Sequence, residues 1–598
     1  SKLGMMYDDG RGVEQSDIEA IKWYAKAAEK GDAAAQCYLG WVYYEGQDIE
    51  QNHVEAVKWY TKAAEQGVAA AQFYLGIMYG QGYGVEQSHV EAAKWITKAA
   101  EQEHANAQNN LGLMYRKGLG VEQSDVKAVK WFTESAEQGH ADAQSTFGLM
   151  YDQGQGVEQS DVEAVKWYTK AAEQGNVHAE YHLGWMYYDG RGVEQSDGKA
   201  AKWFTKAAEQ GYVDAQFNLG FLYKQGRGVE ECDVEAVKWF TKAAEQGEAA
   251  AQSQLGLMYV QGRGVEQSDS EAAKWVTKAA KQGYADAQSN LGLMYRQGRG
   301  IEQSNIEAVK WFIKAAEQKD VDAQFNLGSM YRQGLGVEQS YVEAATWFIM
   351  AAKQEYVDAQ FNLGLMYRQG LGVEQSYVEA AKWFTMAAKQ EYVDAQFNLG
   401  LMYRQGHGVE QSYVEAAKWF TKAAEQGQAS AQNSLGLMYV QGRGVEQSDV
   451  EALKWYSKAA EQGHAEAQSQ LGLMYAQGRG VKQNDVEALK WITKAAEQGD
   501  ADAQTNLGLM YDQGRGVEQS DVEAVNWYTK AAEQDDVDAQ FNLGSMYEQG
   551  RGIEQSDVEA VTWYTKAAEQ GDAQAQFNIG LMYAKGRGVD QSDIEAVK

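Results

Sequence analysis

Proline is absent from the 598-residue chain, although average usage of about 5% would place about 30 in a sequence of this length. Turns and helix ends are therefore built from other residues throughout. Cysteine is nearly absent too. Cys37 and Cys232 stand far apart in the chain, which excludes a disulfide framework. No uninterrupted apolar run approaches the roughly 18–20 residues that a bilayer-crossing helix needs, so membrane insertion is not expected. Basic residues are in short supply, 54 Lys and Arg against 85 Asp and Glu. The net charge of −31 is spread evenly, which argues against a nucleic-acid groove or an anionic membrane surface as principal partner. No Asn-x-Ser/Thr sequon and no signal peptide is visible, and Ser1 falls in mid-repeat, so composition leaves the compartment open.

What the chain has instead is a period. Tryptophan stands at 23, 59, 95, 131, 167, 203, 239, 275, 311, 347, 383, 419, 455, 491, 527 and 563, always 36 residues apart. Such a ruler marks a repeat array, where length alone would suggest about four domains. The expected organisation is a single continuous array over residues 1–598, about 16.6 repeats long, beginning and ending in mid-repeat. With 44% hydrophobic and 12% aromatic residues it can bury a core despite its acidity.

The unit from Ala69 to His104 shows the pattern. Ala71, Leu75, Met78, Tyr79 and Gly82 form the stripe of an amphipathic helix A. A glycine-rich connection, Gly82 to Gln87, leads to Ser88, with Glu91 three residues on. This is a capping box, in which serine accepts from the third helical N–H and glutamate reaches back to the serine N–H. Helix B follows with Val90, Ala93, Trp95, Ile96, Ala99 and Ala100 as its apolar face, and usually ends at a glycine such as Gly67, suited to the left-handed C′ position. Two short helices cannot bury their stripes alone, so repeats must stack on each other. The expected core comprises Leu75, Tyr79, the small helix A residues Gly76 and Gly112, and the tryptophans Trp59, Trp95 and Trp311. Trp311→Ala is accordingly expected to cost about 3–5 kcal/mol and to loosen neighbouring repeats first.

The motif LGxMYxxGxGV followed by a capped EAxKWYxKAAEQG at this period resembles the Sel-one-like repeat (SLR) family, relatives of the tetratricopeptide solenoids, and the resemblance covers essentially the whole chain. It implies an all-α fold, an α/α right-handed superhelical solenoid of 36-residue helix-turn-helix repeats whose concave side, lined mainly by helix A, binds proteins or peptides. Family members are mostly adaptors, in bacteria often in signalling, envelope or host interaction. The resemblance therefore leaves bacterial cytoplasm, periplasm and export unseparated. One branch carries a disulfide in each repeat and has been linked to β-lactam binding; this chain lacks those cysteines.

Nothing in the sequence singles out catalysis or a cofactor. The Gly-x-Gly of each repeat, such as Gly190-Arg191-Gly192, lacks the third glycine of a dinucleotide loop and follows a helix, so backbone turning accounts for it. His178 and His182, at i and i+4 around Glu180, have chelating spacing but no compelled third ligand. Variation among the copies is more informative. The residue after the helix A tyrosine is arginine in four successive repeats, Arg296, Arg332, Arg368 and Arg404. The same stretch carries Phe325, Phe361 and Phe397, and Tyr341, Tyr377 and Tyr413 where most copies have aspartate. An arginine and aromatic stripe in an acidic array has the composition of an interface. Duplication offers another origin, because the segments beginning at Met350 and Met386 share MAAKQEYVDAQFNLGLMYRQG. The expected function is a non-enzymatic scaffold or adaptor for a protein or peptide. The alternative is self-assembly, head to tail or laterally, into a fibre, tube or surface layer.

Overall fold

The structure is a computed structural model that describes residues 2–46 and 49–597. The described residues form 34 α-helices and no strand. They fall into two compact units, Ser1–Gln303 and Ser304–Lys598. Within each unit the helices alternate between types A and B, and each packs against its neighbours in sequence.

The expected boundaries follow the local chemistry. In the first unit, helix A spans Ala69–Gln81 and stops at Gly82, whose φ of 78° is the left-handed C-cap. Helix B spans His89–Ala100, and Ser88 Oγ accepts from Glu91 N at 3.3 Å. The other half of the capping box does not form. Ser88 N donates 2.8 Å to Tyr79 O at the end of helix A, which leaves Glu91 free to pair with Lys94 at 3.2 Å. Tethering helix B to helix A through this backbone bond fixes the turn more firmly than a local side-chain return could.

Two expectations about the core change. Val90 is 65% exposed, and Ala92 takes its place, because Ala92, Ile96 and Ala99 share one helical face while Val90 lies on another. Among the tryptophans, Trp95 is buried, but Trp59 and Trp311 are half-buried side walls, as is Tyr79. Lys314 covers the Trp311 ring at 4.1 Å. The residue after tryptophan fills the centre instead. Phe132, Phe312 and Phe420 are each 0% exposed. The glycine after the helix A leucine makes room for this neighbour. A Cβ on Gly76 would stand 2.5 Å from Ile96 Cγ1, and one on Gly112 2.9 Å from the Phe132 ring. Leu75, Gly76 and Gly112 are themselves buried.

A glutamine ladder joins successive repeats. Gln102 Nε2 donates to Gln72 Oε1 at 2.7 Å, and Gln72 Nε2 donates in turn to Ala64 O at 3.0 Å. Glu180 interrupts the pattern. It is 2% exposed, accepts from Gln210 Nε2 at 2.7 Å, and offers the Ala172 carbonyl no donor. Burial raises its pKa, with Lys206 and the Gln210 bond opposing the rise. The folded state therefore holds the Glu180 proton more tightly than the unfolded chain, and stability falls as pH rises from the unfolded to the raised folded pKa. Glu180→Gln is expected to stabilise the protein at pH 7 by about 1 kcal/mol. In thermal melts that gain should shrink as pH falls through the same window.

Candidate functional site

From Gly84 onward, the turn of each repeat lies against the start of helix B in the repeat before. The reason is the second glycine of Gly-x-Gly: at φ +70° and without a side chain, Gly84 lets its turn approach the His53 carbonyl. The approach creates a joint of three side chains. In one such joint these are Asp152 after the helix A tyrosine, Asp161 opening helix B, and Arg191 from the next turn. Arg191 donates to Asp161 at 2.6 Å and also to Asp152. Arg263 meets Asp233 at 2.9 Å, Arg299 meets Asp269 at 2.8 Å, and Arg479 and Arg515 meet Asp449 and Asp485 at 2.7 Å. Arg587 spans Asp557 at 2.7 Å and Glu548 at 2.9 Å. These half-exposed pairs each contribute about 1 kcal/mol or less. What these joints share is a carboxylate facing the turn arginine; each triad is neutral or negative except the one where Lys224 joins Asp233 and Arg263.

Three successive joints of the second unit break the rule. They are built from Arg332, Tyr341 and Leu371; Arg368, Tyr377 and His407; and Arg404, Tyr413 and Arg443. Tyrosine replaces the aspartate, arginine replaces the other acidic position, and no carboxylate enters the triads. Gln339 ties each pair together, donating to Arg332 O at 2.8 Å and to Tyr341 Oη at 3.2 Å, and Gln375 and Gln411 do the same for Arg368 with Tyr377 and for Arg404 with Tyr413. Tyr377 stands over His407 at 4.8 Å. Arg332 and Arg368 donate to Asn362 and Asn398 of the next repeat at 2.6 and 2.7 Å. Arg404 has Ser434 in that column and makes no such bond among the described residues; its guanidinium lies 5.9 Å from the Phe420 ring centroid. The result is a cationic ridge along the turn edge of an otherwise acidic protein, with Tyr341 and Tyr377 exposed and Tyr413 half-buried.

The rest of the predicted stripe lies elsewhere. Arg296 belongs to the first unit. Phe325, Phe361 and Phe397 sit two turns earlier on helix A, where they pack on Phe348, Phe384 and Phe420 at 5.6, 5.7 and 5.7 Å. Phe325 and Phe361 also meet Tyr356 and Tyr392, which stand before the next helix A, at 5.2 and 5.1 Å. Burial, with Asp322 beside Tyr356 and Asp358 beside Tyr392, pushes those two hydroxyls up to about 12. These phenylalanines are half-buried packing residues, separate from the ridge. Of the histidine pair, His182 stacks on Tyr168 at 5.2 Å, where burial lowers its pKa, while His178 meets Tyr212 edge-on at 5.4 Å. Glu180 between them turns into the glutamine ladder. Among the described residues no group of three His, Cys, Asp or Glu side chains is placed to hold a metal ion. No helix of the described residues is long and apolar enough to cross a membrane.

The joints escaped the sequence reading because their members are 30 and 39 residues apart. A sequence signal exists, however: Arg191, Arg227, Arg263, Arg299, Arg479, Arg515, Arg551 and Arg587 each have an aspartate 30 positions earlier, and Arg443 has Tyr413.

The Sel1 repeat family model matches seventeen consecutive segments, from residues 1–32 through 573–598. The chain belongs to the Sel1 repeat family. Among solved structures, a protective antigen present in uropathogenic Escherichia coli strains, displaying an SLR fold, is 36% identical; the match covers 75% of this chain and 97% of that one, with a TM-score of 0.63. A Sel1 repeat protein from Oxalobacter formigenes is 35% identical over 53% of this chain and 93% of its own, with a TM-score of 0.43. No curated protein matches the chain. The all-helical repeats of this Sel1 protein are those of the SLR solenoid. Sel1 repeat proteins generally serve as scaffolds that bind other proteins, and their fold is generally non-catalytic.

Proposed function

We propose that this Sel1 repeat protein is a scaffold whose partner polypeptide lies along the ridge from Arg332 to Arg443. The observation that carries the reading is that three successive joints hold no carboxylate, while each carries an arginine after the helix A tyrosine and a tyrosine in place of the aspartate. Arginine and tyrosine are the residues that most often anchor protein interfaces, since both bring large contact area and directional hydrogen bonds. The background charge of −31 sharpens the contrast, because the ridge is where an acidic partner meets attraction in place of repulsion.

A photo-crosslinking residue placed at Tyr341 or Tyr377 should form adducts with the partner in cells, whereas one placed at the more exposed Val234 should not. Arg332→Glu with Arg368→Glu should remove those adducts. Equal crosslinking at Val234, or adducts that survive the double charge reversal, would overturn the assignment to the ridge.

A further inference from the structure

The joint of Arg404, Tyr413 and Arg443 differs from every other joint described above in presenting two guanidinium groups and no acid. It opens into a recess of about 580 Å³, lined also by His407, Gln411 and Gln441. Arg443 occupies the turn position whose arginine meets an aspartate in eight other repeats. Here the Tyr413 ring stands in that place, 5.5 Å from the guanidinium. Arg404 occupies the position of Asp152, the second carboxylate on Arg191. Neither arginine has a carboxylate partner within 4 Å among the described residues, and no acidic side chain lines the recess. Two cations have thus been brought to one site from which both of the usual counter-charges have been removed.

We propose that this recess is an oxyanion subsite that takes a carboxylate of an acidic polypeptide, a side chain or a chain end, between Arg404 and Arg443. The ligand carboxylate plays the part that Asp152 and Asp161 play on Arg191. It relieves the repulsion of two like charges, and the planar guanidinium groups hold it by charge-assisted hydrogen bonds. The amide of Gln441 supplies a further donor at the rim. The identity of the ligand as a polypeptide rests on the ridge reading above; the anion site itself rests on the joint.

The test is calorimetric titration of the full chain at low salt with a blocked Glu-Glu-Glu tripeptide. Blocked Gln-Gln-Gln, sodium succinate and inorganic phosphate serve as parallel probes. The glutamate tripeptide should bind, and its affinity should fall with added salt. Arg404→Gln and Arg443→Gln should each weaken it at least tenfold. Tyr413→Asp should do the same by returning to Arg443 the intramolecular carboxylate that Asp449 gives Arg479, with the thermal midpoint kept or raised. Arg479→Gln, which removes an arginine already paired, should leave the affinity unchanged. Equal binding of the glutamine tripeptide, or full affinity in Arg404→Gln or Arg443→Gln, overturns the subsite. Phosphate bound more tightly than the tripeptide overturns the polypeptide carboxylate as its ligand. Tripeptide binding that fails while crosslinks at Tyr341 and Tyr377 persist removes the subsite and leaves the ridge standing.

Discussion

Phe420→Ala is expected to destabilise the protein by about 3–5 kcal/mol, the range for removing a fully enclosed phenylalanine. Phe420 is 0% exposed, lies 5.7 Å from Phe397, and presses on the bare backbone of Gly400, where an added Cβ would stand 2.7 Å from its ring. Because helix A carries glycine there, it has no side chain that could swing in to fill the void. The adjacent tryptophan should matter less. Trp419 is half-buried, with Lys422 4.6 Å above its ring, so Trp419→Ala should cost about 2 kcal/mol. The same holds for Trp311, whose expected cost drops from the 3–5 kcal/mol that its regular spacing suggests. Urea denaturation of the two alanine variants ranks them directly. Hydrogen exchange should show the Phe420→Ala damage concentrated in its own and the adjoining repeats, since each repeat contacts only its neighbours. Equal costs, or uniform loss of protection along the chain, would contradict the packing described here.

Gly372→Ala should cost about 3 kcal/mol, far more than an exposed glycine in a turn suggests. Two effects add. Gly372 has φ +70°, a conformation that costs an L-residue about 1 kcal/mol or more. A methyl group there would also collide with the Tyr341 carbonyl of the preceding repeat, backbone against backbone with no side chain able to yield. Gly370 offers the control. Its φ is +72°, but a Cβ would stand 3.2 Å from the Gln375 Cβ, so Gly370→Ala should cost about 1 kcal/mol. If the two variants melt alike, close approach between repeats is not what the second glycine provides.

The 36-residue period and the helix limits were legible because they are local. Serine at the start of helix B and glycine after helix A act within one turn of chain. Burial was legible only where periodicity decides it. Leu75 and Met78 follow from helix A alone, but the choice between Trp95 and Ile96 as the deepest side chain depends on where Gly76 of the opposing helix points. The failed half of the capping box has the same origin, since Tyr79 O becomes available to Ser88 only after helix A ends beside it. The arginine and tyrosine columns of the candidate site could be found as variation against a uniform background. Their separation from Phe325, Phe361 and Phe397 could not, because all three columns vary in the same repeats and only the helix geometry puts the phenylalanines two turns away.

Each joint takes two residues from one repeat and the third from its successor, while the core of a repeat depends on spacings that every copy shares. Unequal exchange between copies can therefore remove or insert a whole 36-residue unit and leave every glycine, glutamine rung and buried ring in register. The joints are dealt anew. Were the repeat beginning with Ala429 lost, Arg404 and Tyr413 would face Arg479 in place of Arg443, and a deletion one repeat earlier would set Arg368 and Tyr377 against Arg443. An array of this kind can reshuffle its charge code by recombination alone, drawing new ligand preferences from old residues before any point substitution is needed.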